Sequence, residues 1–168
     1  MTFFKTAALV AALVGLGACT DANRFGPGGA NGAGVNGAAA GSVGDPTSPA
    51  YFNATVGDRV LFEVDQSTLT ADAQAVLAGQ AQWLMQNGDY SALIEGHADE
   101  QGTREYNLAL GARRASAVQN YLISQGVAPN RLKTISYGKE RPIEICSDEA
   151  CYSQNRRSVT VITAGSGV

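Results

Sequence analysis

SALIEGHADEQGTREYNLALGARRASAVQNY, residues 91–121, decides how this chain folds. It reads as a strand, a polar loop and a helix. Ala92 to Glu95 is short and mostly apolar and stops at Gly96. The loop, His97 to Gly102, carries charge and closes on glycine. Thr103 stands where a hydroxyl can cap the free N–H groups of a first helical turn, and Glu105 puts negative charge where the helix dipole favours it. Leu108, Ala112, Ala115, Val118 and Leu122 recur at three- and four-residue steps, which predicts one buried helix face. Asn107, Leu110, Arg114 and Tyr121 follow the same steps on a neighbouring stripe. A partly polar stripe beside a core stripe, facing a loop that holds Asp99, predicts the wall of a site. Gly126 is expected to end the helix.

Outward from this stretch the pattern continues. Arg59 to Val64 (RVLFEV) has branched and aromatic residues and reads as a strand, and Thr70 to Asn87 reads as a helix with Val76, Leu77, Ala81 and Leu84 on its apolar stripe. Trp83 is expected to pack on the core rather than to stack on a sugar. Arg131 to Tyr137 reads as a strand, Asp148 to Asn155 as a short helix and Ser158 to Thr163 as a last β-branched strand. Strand–helix–strand units with helices of ordinary length predict an α/β fold, a helix layer on one sheet. The folded domain is placed at residues 51–168, with a frayed tail from Ala164.

The N-terminus is of a different kind. Met1 to Cys19 has one lysine, an apolar run from Ala7 to Val14 and then small residues. That is the layout of a secretory leader, and the run is too short to cross a bilayer comfortably. Leu16-Gly17-Ala18-Cys19 resembles the bacterial lipobox, which implies a leader over residues 1–18 and lipidation of Cys19. By analogy with bacterial lipoproteins, Thr20 in place of aspartate favours the outer membrane. Residues 19–50 form the lipidated end and a linker of Gly, Ala, Asn, Ser and Pro, without a helix or strand period and too poor in apolar surface to offset ordering. As a flexible coil it would span roughly 30 Å, and stretched about 100 Å.

The 168-residue chain is 45% hydrophobic and 16% charged with a net charge of −3. No basic block or basic–aromatic ladder marks nucleic-acid binding. Cys146 and Cys151 remain after Cys19, and in an oxidising compartment they are expected to bond, with a turn between them; a metal pair is the alternative. His97, Asp99 and Glu100 could suggest a metal or acid–base cluster. No third ligand has the right spacing, so His97 is expected to be a partly exposed loop residue, with no metal and no cofactor.

EGHADEQGTREYNLALGARRASAVQNYLISQGV resembles the central motif of OmpA-like peptidoglycan-binding domains, and the longer match through SYGKERP to SQNRRSV is similar to the peptidoglycan-associated lipoproteins. It covers roughly residues 60–162. The resemblance implies a small mixed sheet with two long helices on one face. It implies binding of the diaminopimelate stem peptide of peptidoglycan, whose free end carries an ammonium and a carboxylate on one carbon. Asp99 and Arg114, not Arg113, match the family's charged clamp; Asn107 and Asp65 match ligand-contacting positions, with Leu110 on the same wall. Two departures stand out: Val64-Asp65-Gln66 where the family commonly has Phe-Asp-Lys, and Ala98 where threonine is common. The resemblance also implies the periplasmic protein TolB as partner, on a surface overlapping the wall-binding face.

Three function classes compete. The first is a non-catalytic outer-membrane lipoprotein of the Tol system that tethers the membrane to the wall. The second is a wall-remodelling enzyme, for which the sequence offers no convincing acid–base set. The third is another wall anchor, such as a motor stator, which would carry a true membrane span.

Overall fold

The structure, a computed structural model, describes residues 40–164. The leader at residues 1–18, Cys19, Thr20, the linker up to residue 39 and the tail from residue 165 lie outside the described residues. The elements run α1 Pro49–Tyr51, a π-helical turn Phe52–Gly57, β1 Arg59–Leu61, α2 Ala71–Gln86, β2 Tyr90–His97, α3 Arg104–Ser124, a 3-10 turn Pro129–Arg131, β3 Leu132–Gly138, α4 Glu149–Asn155 and β4 Arg157–Ala164. The strand order is β1-β4-β2-β3. β3 is parallel to β2, and β4 is antiparallel to both β1 and β2. The sheet is therefore mixed, and α2 and α3 pack on one face of it. Thr160 of β4 makes a 2.8 Å hydrogen bond with Gln80 of α2 from that face. The other face carries Leu61, Ile135 and Val161, each more than a third exposed.

Local chemistry explains the ends of α3. The Thr103 hydroxyl accepts from the Tyr106 N–H at 3.2 Å, one of the four donors a helix start leaves free. At the other end Gly126 has φ +105°. Val127 N–H donates to Leu122 O and Gly126 N–H to Ile123 O, the two bonds of a Schellman stop. The buried face differs from the one expected. Leu108 is 49% exposed and Ala112 is exposed, while Asn107, Leu110, Gly111, Arg114, Ala115, Val118 and Leu122 turn inward. The core stripe and the polar stripe are one face: α3 lies so close to β2 that it buries small and polar residues rather than Leu108. A Cβ on Gly96 would overlap the carbonyl oxygen of Gly111, so the two backbones touch with no side chain between them.

Trp83 is 4% exposed, with ring centroids 5.0 Å from Phe52 and 5.3 Å from Tyr90. Its indole N–H donates to Pro46 O at 2.8 Å. Pro46 falls in the segment that composition assigns to the linker. There the structure differs: Ser48 is buried, its hydroxyl donates to Ser42 O at 2.6 Å, and Pro49 starts α1. Small polar residues hold this segment through turns and hydrogen bonds, which leave no apolar periodicity to read.

Cys146 and Cys151 are bonded, with Cα atoms 5.7 Å apart. The bend that brings them together ends at Asp148, whose carboxylate accepts from the Cys151 N–H at 3.2 Å and caps α4. Closing so short a loop is worth about 2 kcal/mol by chain entropy. Replacing both cysteines by serine should lower stability by that amount in urea titrations. An unchanged midpoint would mean that the loop is held by Asn155, which accepts from the N–H groups of Ile143 and Glu144.

Candidate functional site

The loop from Ala98 to Thr103 leaves the carboxyl end of the parallel pair β2 and β3, the end of an open sheet where ligand crevices form. Ala98 N–H donates to Gly138 O at 2.8 Å, and the ladder shifts register at Gly96 and His97. The loop is thus peeled off the sheet from a fixed point. Beside it lies a cleft of about 230 Å³ lined by Val64, Asp65, Asp99, Tyr106, Asn107 and Leu110 among others.

Asp99 is 7% exposed. One carboxylate oxygen accepts from Gln101 N–H at 3.1 Å and the other from Arg156 Nη1 at 3.2 Å. Asn107 Nδ2 donates to Gln101 O at 2.7 Å, so the helix braces the loop. Asp65 sits opposite in a left-handed conformation, φ +56°, which aspartate tolerates better than most residues and which recurs at ligand sites. The Tyr106 hydroxyl donates to the Asp65 carboxylate. That hydrogen bond to an anion raises the phenol above its usual range.

Arg114 is not in the cleft. It has no exposed surface. Its guanidinium donates to Gln66 O at 2.8 Å, His97 O at 2.8 Å and Glu63 O at 3.1 Å, and it stacks 5.1 Å from the Phe62 ring centre. Burial pushes its pKa down to about 10, opposed by the Asp99 charge, so it stays cationic at neutral pH. The cation that Asp99 bonds directly is Arg156, and both are nearly buried. Asp65, Asp99, Asn107 and Leu110 are brought together around one cleft, with Arg114 beneath it. Tyr106 and Arg156 escaped the sequence reading. Tyr106 lies one step from Asn107 and could have been found as a polar aromatic at the helix start. Arg156 comes from a distant segment, and no spacing rule links it to Asp99.

The Cys146–Cys151 segment also reaches the site. Tyr152 of α4 donates to the Glu100 carboxylate at 2.9 Å, and Lys139 Nζ donates to Glu100 O and Gly102 O at 3.2 and 2.6 Å. The loop is therefore held from three sides.

His97 departs from its expected exposure: it is 1% exposed. It is the last residue of β2 rather than a loop residue, and its ring packs 5.5 Å from that of Tyr137 on β3. Nε2 is 3.4 Å from a Glu95 oxygen, yet neither ring nitrogen has a hydrogen-bond partner. Burial first, then the charges of Arg157 and Arg141, push its pKa down to about 4. A base whose folded pKa lies below its unfolded value binds its proton first in the unfolded chain, so stability is full above pH 6.5 and falls as the pH drops toward 4. Between pH 6.5 and 5, before most carboxylates titrate, the loss should be about 2 kcal/mol. His97→Gln should flatten that limb in urea titrations, and an unchanged limb would assign it to other groups.

A scan of family models matches residues 61–156 to the OmpA family. The chain belongs to the OmpA family. Among OmpA-family relatives, the peptidoglycan-associated lipoprotein of Mesorhizobium japonicum is 53% identical over 92% of this chain and 90% of its own. That of Pseudomonas aeruginosa is 39% identical over 94% of this chain and 95% of its own. The crystal structure of the peptidoglycan-associated lipoprotein from Burkholderia pseudomallei superposes with a TM-score of 0.64 at 39% identity, covering 72% of this chain and 98% of that one. The matched residues thus span the whole cleft, and Arg114 and Arg156 beside it.

Proposed function

We propose that this protein is a non-catalytic lipoprotein, anchored in the outer membrane through Cys19, whose domain binds the diaminopimelate stem peptide of peptidoglycan in the cleft beside Asp99. The observation that carries the reading is the charge layout of that cleft. Two carboxylates, Asp65 and Asp99, stand at its wall, and a buried cation, Arg114, lies under its floor. A ligand end bearing an ammonium and a carboxylate on one carbon matches both signs. Asp99 receives the ammonium. Arg114 spends three of its five N–H groups on carbonyls; its charge and the remaining two draw the carboxylate toward the floor, with Asn107 and Leu110 orienting the stem. The similarity to peptidoglycan-associated lipoproteins supports the same ligand, and supports TolB and the Tol system as the setting.

Sacculus pull-down with free diaminopimelate as competitor tests this. The native chain should sediment with sacculi, be released by the competitor and liberate no soluble wall fragments. Released fragments would favour the remodelling-enzyme reading. In cells, Cys19→Ala should shift the protein from the outer membrane to the soluble periplasm; a variant still fractionating with membranes stripped of wall would overturn the anchor.

A further inference from the structure

Arg156 reaches the ligand cleft through Asp99, which lines it. It is 4% exposed and follows α4 immediately. Its Nε donates to Phe62 O at 3.2 Å. Nη1 donates to Asp99 at 3.2 Å and to one Glu149 oxygen at 3.4 Å, while Nη2 donates to the other Glu149 oxygen. Arg156 also borders a second, larger cleft of about 490 Å³ between β1, α2 and α4, and its bond to Asp99 links that cleft to the ligand site. Glu149 is mostly exposed; its side chain is 66% exposed against 5% for Arg156.

We propose that Arg156 is the specificity-determining residue of the ligand site: it orients the Asp99 carboxylate and, by its charge, makes the site select an ammonium group that carries its own carboxylate over a bare ammonium. This inference rests on the diaminopimelate reading of the cleft. Asp65 and Asp99 alone would attract any cation. With Arg114 buried near the cleft and Arg156 bonded to Asp99 behind its wall, the two cations offset the two carboxylates, and a bare ammonium loses to the cations part of what it gains from the carboxylates. A zwitterionic end presents its carboxylate to the cations and keeps both attractions. Glu149 sets how strongly Arg156 acts, because its exposed carboxylate shares Arg156 Nη1 with Asp99.

The test uses the full-length chain in detergent and two disaccharide tetrapeptides, one with meso-diaminopimelate and one with lysine at the third position. The readout is the ratio of their dissociation constants. The native chain should prefer the diaminopimelate form by about 30-fold or more, the worth of one good charge-assisted contact. Arg156→Gln should collapse the ratio at least about tenfold, by weakening the diaminopimelate form while the lysine form binds as well or better. Arg156→Lys, which keeps the charge, should retain most of the ratio. Glu149→Gln changes an exposed side chain and leaves the fold intact; it should raise the ratio about threefold, because the freed guanidinium leans further on Asp99. A purely structural Arg156 predicts equal weakening of both peptides and no effect of Glu149→Gln, and either result overturns the proposal. Should Arg156→Gln not fold, the Glu149→Gln ratio alone decides. A native chain that binds both peptides equally would instead sink the diaminopimelate reading, and the assignment of Arg156 with it.

Discussion

Arg114→Ala should destabilise the domain by about 4–6 kcal/mol, enough to lower the melting temperature by about 15 °C or more. The reasoning starts from what the guanidinium holds. Its three carbonyl acceptors belong to Glu63, Gln66 and His97; two lie in the turn after β1 and one ends β2. No backbone donor replaces a cation there. Removing it strands these carbonyls around a void the size of an arginine, and each lost charge-assisted bond is worth about 1.5–3 kcal/mol. The return is incomplete because the desolvation of Arg114 itself is relieved, which keeps the net below the simple sum. Arg114→Lys should recover only part of the loss, since one ammonium cannot reach three acceptors held in a guanidinium's plane. Differential scanning calorimetry on both variants checks the order. If Arg114→Ala melts within about 3 °C of the native domain, the three carbonyls are satisfied by other means, and Arg114 acts on the ligand alone.

This expectation shows where the sequence was legible and where it was not. The α3 helix, its Thr103 cap and its Gly126 stop are local devices, set by residues within one turn of each other, and they stand in the structure as their pattern implies. The β-branched run marks β4 as a strand, but its place between β1 and β2 appears only in the tertiary fold. Asp99 was legible as a charge in the loop before α3. The role of Arg114 was not, because its acceptors lie 48, 17 and 51 residues away in the chain. A periodicity rule sees a polar side chain near an apolar stripe and places it at a site wall; only the tertiary fold shows that the stripe is inside. The same distance hid Arg156, 57 residues from Asp99. His97 was misjudged for a related reason. Its strand continues past Gly96, where the sequence alone suggests a stop, and β3 supplies Tyr137 to cover the ring.

Asp99→Ala should weaken binding of the diaminopimelate muropeptide by about 100-fold while the domain stays folded. The carboxylate's two oxygens are already bonded, one to Gln101 N–H and one to Arg156, but a carboxylate has about four lone-pair sites. Asp99 lines the cleft, so in the proposed reading the ligand ammonium completes the set. Such a contact between two charges, largely out of water, contributes about 1.5–3 kcal/mol, and each 1.4 kcal/mol is a factor of ten. Folding suffers less than in the Arg114 case, because Arg156 keeps its bonds to Glu149 and Phe62 when Asp99 is gone. Asp99→Asn keeps the shape and removes the charge: the amide oxygen can still accept from Gln101, so the loop keeps its turn, but the amide NH2 then faces the Arg156 donor and the ammonium loses its counter-ion. Both variants should therefore bind poorly, each melting a few degrees below the native domain. Calorimetric titration and thermal unfolding on the same samples decide between a ligand contact and a brace. If Asp99→Asn binds the muropeptide as tightly as the native chain, the ammonium is held elsewhere, and Asp65, opposite Asp99 in the same cleft, becomes the residue to change next.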